Sequence, residues 1–236
     1  MLQSMHTVYV NTAAMAAAGV GDDTPDPPGG GHYERDAAGH LTGRVAELPA
    51  IMPFAAHGLP DPAEIDQLFA DQLERYRKVG VTTVGVAGSF FPMDQIAAAV
   101  RQPTSPLRAV GYLRHDSADL SAFGPGHGDE RFRIQGVKLW YDGSPYTGTM
   151  LLDEPYLASD LCCCTLGIPE GSVGAANFDP GDVVELLGDL SSDGWQILTH
   201  VQGDRGSREM LDLCEQVLAS GPPADPRCRL EHCAPT

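Results

Sequence analysis

Residues 196–218 read QILTHVQGDRGSREMLDLCEQVL, and they hold one complete strand-then-helix unit. Gln196 to Val201 is short, largely apolar and rich in branched side chains, as a strand buried on both faces must be. A polar turn follows at Gln202 to Asp204. From Ser207 to Leu218 the spacing changes to that of a helix, with Met210, Leu211, Cys214, Val217 and Leu218 expected on one face.

The same unit recurs in both directions. Upstream, Asp179-Pro180 opens a helix that ends near Leu190, and Ile134 to Tyr141 (IQGVKLWY) reads as a strand. Between them, Asp142 to Asn177 is a long excursion bearing Gly and Pro. Leu107 to Leu113 is another strand, preceded by a helix over Met93–Arg101 and by the β-branched run Val81 to Val86. Asp61-Pro62-Ala63-Glu64 supplies a cap, a first-turn proline and an early glutamate. Ile65, Leu68, Phe69, Leu73, Tyr76 and Val79 then continue at near-helical spacing to Gly80. Downstream, Arg227 to Cys233 (RCRLEHC) is the last strand. Five such strands, recurring roughly every 30 residues between helices, predict a parallel sheet with crossover helices, an α/β fold. Residues 1–60 read instead as an irregular insertion segment. In it Asp22–Gly31 is loop, and Tyr33–Glu47 is a candidate hairpin around Ala37-Ala38-Gly39. The barrel-like part is residues 61–236.

Composition narrows the function classes. The chain has 236 residues, 15 Lys plus Arg against 32 Asp plus Glu, and a net charge of −17, which argues against a nucleic-acid partner. No apolar run approaches the roughly 18 residues of a membrane span, and no signal peptide is legible, so a cytoplasmic location is expected. The six cysteines lack any C-x-x-C spacing, and three of them, Cys162 to Cys164, are consecutive; reduced thiols are the expectation. G-x-S-x-G, P-loop and G-x-G-x-x-G signatures are missing from their required contexts, which argues against serine hydrolases, P-loop enzymes and dinucleotide-binding oxidoreductases.

In a parallel α/β sheet, ligands bind beyond the carboxyl ends of the strands. Lys138, His200 and His232 fall toward those ends. The 32 residues from His200 to His232 equal one repeat, which predicts two imidazoles at one height on adjacent strands. Two neutral imidazoles can share a divalent ion. A lysine whose pKa burial depresses can react with carbon dioxide to give a carbamate with two ligand oxygens. Plainer alternatives stand beside each reading. Either histidine can be a satisfied polar residue at a strand end, and Lys138 can form a salt bridge, with Asp142 as one partner. Asp204 can orient an imidazole or start the next helix, and Asp142-Gly143-Ser144 can line a substrate or simply turn. His6, His32, His40, His57, His115 and His127 have no partner at ligand spacing and read as surface or structural residues.

Several segments resemble one family in its own order. MHTVYVNTAAMAAAGV is similar to an H-x(4)-N-x-x-A-L region, and ERDAAGHLTGRVAE to an R-D-x-x-G-x-x-x-G-x-x-x-E segment. VGVTTV, GVKLWYDGSPYTGT, THVQGDRG and RCRLEHC follow. Together they resemble the amidohydrolase superfamily, within it the YtcJ-like, amidohydrolase-3 group that includes N-substituted formamide deformylase. The resemblance implies a (β/α)₈ TIM-type barrel and a divalent metal, with zinc expected. It makes Lys138, as a carbamate, His200 and His232 the metal ligands and catalytic residues, and leaves Asp142 and Asp204 beside the ligands or substrate. It also implies hydrolysis of amide or formamide-like C–N bonds in a small-molecule substrate by metal-activated water. The family's first-strand His-x-His pair does not occur in this sequence, and its strand-8 aspartate has no counterpart. The resemblance therefore covers a partial barrel, roughly strands 2 to 6, whose open edges call for a homo-oligomer or for the missing remainder of the barrel. The competing expectation is a non-catalytic remnant or interaction module of the same fold.

Overall fold

A computed structural model describes residues 6–28, 30–58, 60–105, 107–221 and 227–234. Its larger sheet has five parallel strands: β4 (Thr83–Ala87), β5 (Arg108–Arg114), β6 (Phe132–Trp140), β7 (Gln196–Val201) and β8 (Arg229–His232). They lie side by side in chain order, the sequence of a barrel wound one unit at a time. The sheet curls into a half-barrel, a partial TIM-type barrel. Helices α3 (Pro62–Lys78), α4 (Met93–Arg101), α5 (Asp119–Ala122), α6 (Pro180–Ser192) and α7 (Asp204–Ala219) fall before and between the strands.

Alternation along the strands separates core from site. On β6, Val137 and Leu139, together with Tyr141 just beyond the strand, are fully buried in the main core, and Ile197 and Val201 of β7 join them. Met93, Ile96 and Val100 of α4, Val183 and Leu187 of α6, and Met210, Leu213 and Val217 of α7 supply the other side of that core. Lys138, Trp140 and His200 alternate with these residues and so point to the opposite, concave face. Helix α7 departs from the expected face in detail. Leu211 and Leu218 are exposed, because the buried stripe runs through Met210, Leu213 and Val217 and leaves them on its flank.

Residues 6–58 are more ordered than the sequence suggested. Strand β1 (Thr7–Tyr9) and the hairpin β2 (His32–Arg35) and β3 (Leu41–Ala46) form an antiparallel sheet in the order β1-β3-β2. Helix α1 (Thr12–Ala18) starts where the Asn11 side chain accepts the Ala14 N–H, and ends at Gly19 in the left-handed region. Helix α2 (Leu48–Gly58) follows, with Pro53 inside it. Val8, Val45, Ile51 and Phe54 close a second small core. None of the six cysteines is in a disulfide, and no described helix is long and apolar enough to cross a membrane.

Candidate active site

Strand register sets the site. Trp140 pairs with His200, and His200 with Glu231, so these residues stand level across β6, β7 and β8. Lys138 lies two residues before Trp140 on the same face. Its Nζ meets Glu231 Oε2 at 2.5 Å and stands 5.3 Å from the Trp140 ring centre. His232 is one residue beyond the level of His200, opposite Val201, and not at the same height as the 32-residue spacing predicts. Strict alternation would send His232 away from Glu231. A left-handed backbone at His232, φ +79°, brings the ring back, and its centroid lies 4.6 Å from that of His200 in a T-shaped contact. Left-handed backbone costs a non-glycine residue about 1 kcal/mol or more, and such strain gathers at functional sites.

Burial decides the charge states. His200 is 4% exposed, and desolvation pulls its pKa down to about 3 despite a hydrogen bond to the Gly143 carbonyl. That carbonyl can only accept, so Nε2 carries the proton at 2.9 Å and Nδ1 keeps the lone pair. Lys138 is 3% exposed. Burial lowers its pKa, while Glu231 pulls the other way. Burial also lowers the pKa of His232, helped by the nearby Lys138 charge. The three residues share a cavity of about 640 Å³ whose wall also includes Trp140, Tyr146 and Glu231.

Other expectations need correcting. The ion-pair partner of Lys138 is Glu231, since Asp142 is fully buried elsewhere. Its carboxylate accepts the backbone N–H groups of Leu151, Gln202 and Gly203, tying the turn after β6 to the turn after β7. Burial raises the Asp142 pKa, against those three bonds. Asp204 is the first residue of α7, and its carboxylate accepts from the Arg205 and Asp153 N–H groups; no hydrogen bond from an imidazole reaches it. His6, read from the sequence as a surface or structural residue, lines the cavity with its ring centroid 5.1 Å from that of His200. It is held there through Nδ1, 2.8 Å from Glu47 Oε2. Glu47 is 3% exposed, has φ +64°, and also accepts the Thr147 and Thr149 hydroxyls. Both residues fall inside the motif-like segments quoted above, His6 at the head of H-x(4)-N and Glu47 at the end of the R-D-x-x-G run. That was the signal available for them.

The donors suit a first-row divalent ion only as a partial set. Two imidazoles are held near one another, that of exposed His232 and that of His200, which burial keeps neutral as metal coordination requires. Among the described residues, no three His, Cys, Asp or Glu side chains converge on one point. A closed site therefore needs a further ligand, either from Lys138 as a carbamate or from polypeptide outside these residues.

The sequence matches the amidohydrolase family over residues 1–236. It is 24% identical over 219 residues to the exoenzymes regulatory protein AepA of Pectobacterium carotovorum subsp. carotovorum, covering 88% of this chain and 44% of AepA. It is likewise 24% identical over 219 residues to YtcJ of Bacillus subtilis, covering 89% of this chain and 39% of YtcJ. The chain thus spans about two fifths of the length of these relatives. Among solved structures, an uncharacterized metal-dependent hydrolase from Pyrococcus furiosus superposes with a TM-score of 0.62 at 20% identity, over 90% of this chain and 42% of the other. The family match runs over all of residues 1–236, and the chain belongs to the amidohydrolase family.

Proposed function

We propose that this chain is the central part of a metal-dependent hydrolase that cleaves C–N bonds of the amide or formamide type in a small-molecule substrate. The observation that carries the reading is the meeting of Lys138, His200 and His232, from three successive strands, at one cavity. His200 and His232 would hold a divalent ion, zinc by preference, with Lys138 as a carbamate. A bound ion supplies a Lewis acid for the carbonyl and lowers the pKa of water. The chain's own groups do the positioning. The Gly143 carbonyl fixes the His200 tautomer, burial keeps the ring neutral, and Trp140 and Tyr146 wall the cavity. Glu231 holds the Lys138 Nζ in place. Carbamylation turns Lys138 from cation to anion beside Glu231, so metal and carbamate are expected to appear together. The remaining strands and ligands would come from the missing remainder of the barrel or from a second copy.

The test is elemental analysis of the purified chain with and without added zinc, beside His200→Ala, His232→Ala and Lys138→Ala. Stoichiometric metal that is lost in each variant, and not restored to Lys138→Ala by bicarbonate, is the expected result. Metal-free parent protein would overturn the reading for this chain and favour the second one, a non-catalytic module. The lack of three converging ligands among the described residues is what favours that alternative.

A further inference from the structure

The Trp140 indole is a wall common to two cavities. The first is the space over Lys138, His200 and His232. The second is a slot of about 240 Å³ that shares Trp140 and Leu48 with the first. Pro49, Met52 and Phe178 complete the slot's apolar lining. Its charged side chains and the Asn177 amide N–H groups are already committed. The Arg114 guanidinium is bidentate to Asp116, with Nε 2.8 Å and Nη2 2.5 Å from the two carboxylate oxygens. Glu47 is taken by His6, Thr147 and Thr149. The Asn177 amide N–H groups go to the Trp140 and Asp142 carbonyls. The His115 ring stands in the slot wall, packed on Phe178 at 5.2 Å, and its Nδ1 is the one buried polar side-chain atom there with no hydrogen-bond partner among the described residues. A charged guest would find no unspent counter-charge here, whereas a flat apolar guest meets two aromatic faces.

Trp140 is also held firmly. Asn177 binds its carbonyl, and Gly88, with φ +75°, packs so closely that a Cβ there would collide with the indole edge.

We infer that the slot beyond Trp140 receives an uncharged, planar, apolar substituent of the substrate, a single aryl ring, while the bond to be cleaved lies over Lys138, His200 and His232. The position of that bond rests on the hydrolase reading; the slot and its ligand class do not. Size accommodates one ring: an apolar cavity of about 150 Å³ accepts benzene, so about 240 Å³ holds a substituted ring.

The test is binding, with EDTA present so that no metal contributes. Phenylacetamide, acetamide and 4-carboxyphenylacetamide are titrated into the 236-residue chain carrying Trp195→Phe, so that Trp140 alone reports by its emission. Phenylacetamide should bind at least about tenfold tighter than acetamide, since burying a phenyl group supplies that much. The carboxylate on the ring should erase the gain. Met52→Trp, on a partly exposed helix position and titrated by calorimetry because it adds a second indole, should fill the slot and abolish the preference while leaving the urea midpoint in place. Equal binding of phenylacetamide and acetamide would overturn the inference, and so would an aryl preference that survives Met52→Trp. Should Met52→Trp fail to fold, the ratio in the parent decides. Aryl preference in a chain that never takes up metal would sink the hydrolase reading alone, and metal uptake without aryl preference would sink the slot alone.

Discussion

Replacing Glu47 separates two contributions that the fold places on one residue. Its carboxylate accepts the His6 Nδ1–H at 2.8 Å, the Thr149 hydroxyl at 2.5 Å and the Thr147 hydroxyl at 3.3 Å, while its backbone sits at φ +64°. Hydrogen bonds to a charged group contribute about 1.5–3 kcal/mol each. The long Thr147 bond counts for little, because that hydroxyl also reaches the Ser144 carbonyl at 3.1 Å. Glu47→Ala therefore forfeits two strong bonds, less what water returns to half-buried His6, and should cost about 2–4 kcal/mol. Glu47→Gln keeps the shape. One amide oxygen can accept from His6 while the rotatable threonine hydroxyls accept from the amide nitrogen, so the cost should stay below about 1.5 kcal/mol. Glu47→Gly loses the same bonds as Ala but escapes the left-handed strain of about 1–2 kcal/mol. Its floppier unfolded state gives back about 0.4–1 kcal/mol. The expected order is Gln, then Gly, then Ala, the reverse of the usual Ala-over-Gly ranking. Urea unfolding at pH 7 with matched m-values measures it. A Gly variant less stable than Ala, or an Ala variant as stable as Gln, would refute the reasoning.

Two further outcomes follow from the same geometry. At Gly136, which pairs with Gln196 across β6 and β7, a Cβ would strike the Gln196 backbone carbonyl; Gly136→Ala should cost about 1–3 kcal/mol in urea and displace the His200 ring resonances. His200 should show no protonation shift by NMR until well below pH 5. Because burial depresses its folded pKa to about 3 from 6.5, the neutral ring's contribution is whole above pH 6.5. It is lost progressively as pH falls toward 3, at up to about 1.4 kcal/mol per unit, and His200→Gln should flatten that acid limb.

The βα succession was legible because strands buried on both faces leave apolar runs and amphipathic helices leave a second period. Met93–Arg101 and Gln196–Val201 fall where the spacing put them. The small N-terminal sheet was not, for physical reasons. Its strands are three to six residues long, His32–Arg35 is polar, α1 is nearly all alanine, and α2 carries Pro53 where a helix should not. At the site, β-strand spacing located Lys138 and His200, but the final aim of His232 lies in one backbone torsion that residue type does not announce. The role of Glu231 as the Lys138 partner depends on strand register, and the His6–Glu47 pair spans 41 positions with neither residue on a barrel strand.

The order β4-β5-β6-β7-β8 has a consequence for how the site holds together. Lys138 belongs to the middle strand, flanked on both sides, whereas His232 belongs to the last one, which among the described residues pairs only with β7. Opening the middle strand approaches the cost of global unfolding, and fraying an edge costs far less. The cavity thus bridges the most and least protected backbone of the sheet, and anything gripping both Lys138 and His232 lends the edge the cooperativity of the centre.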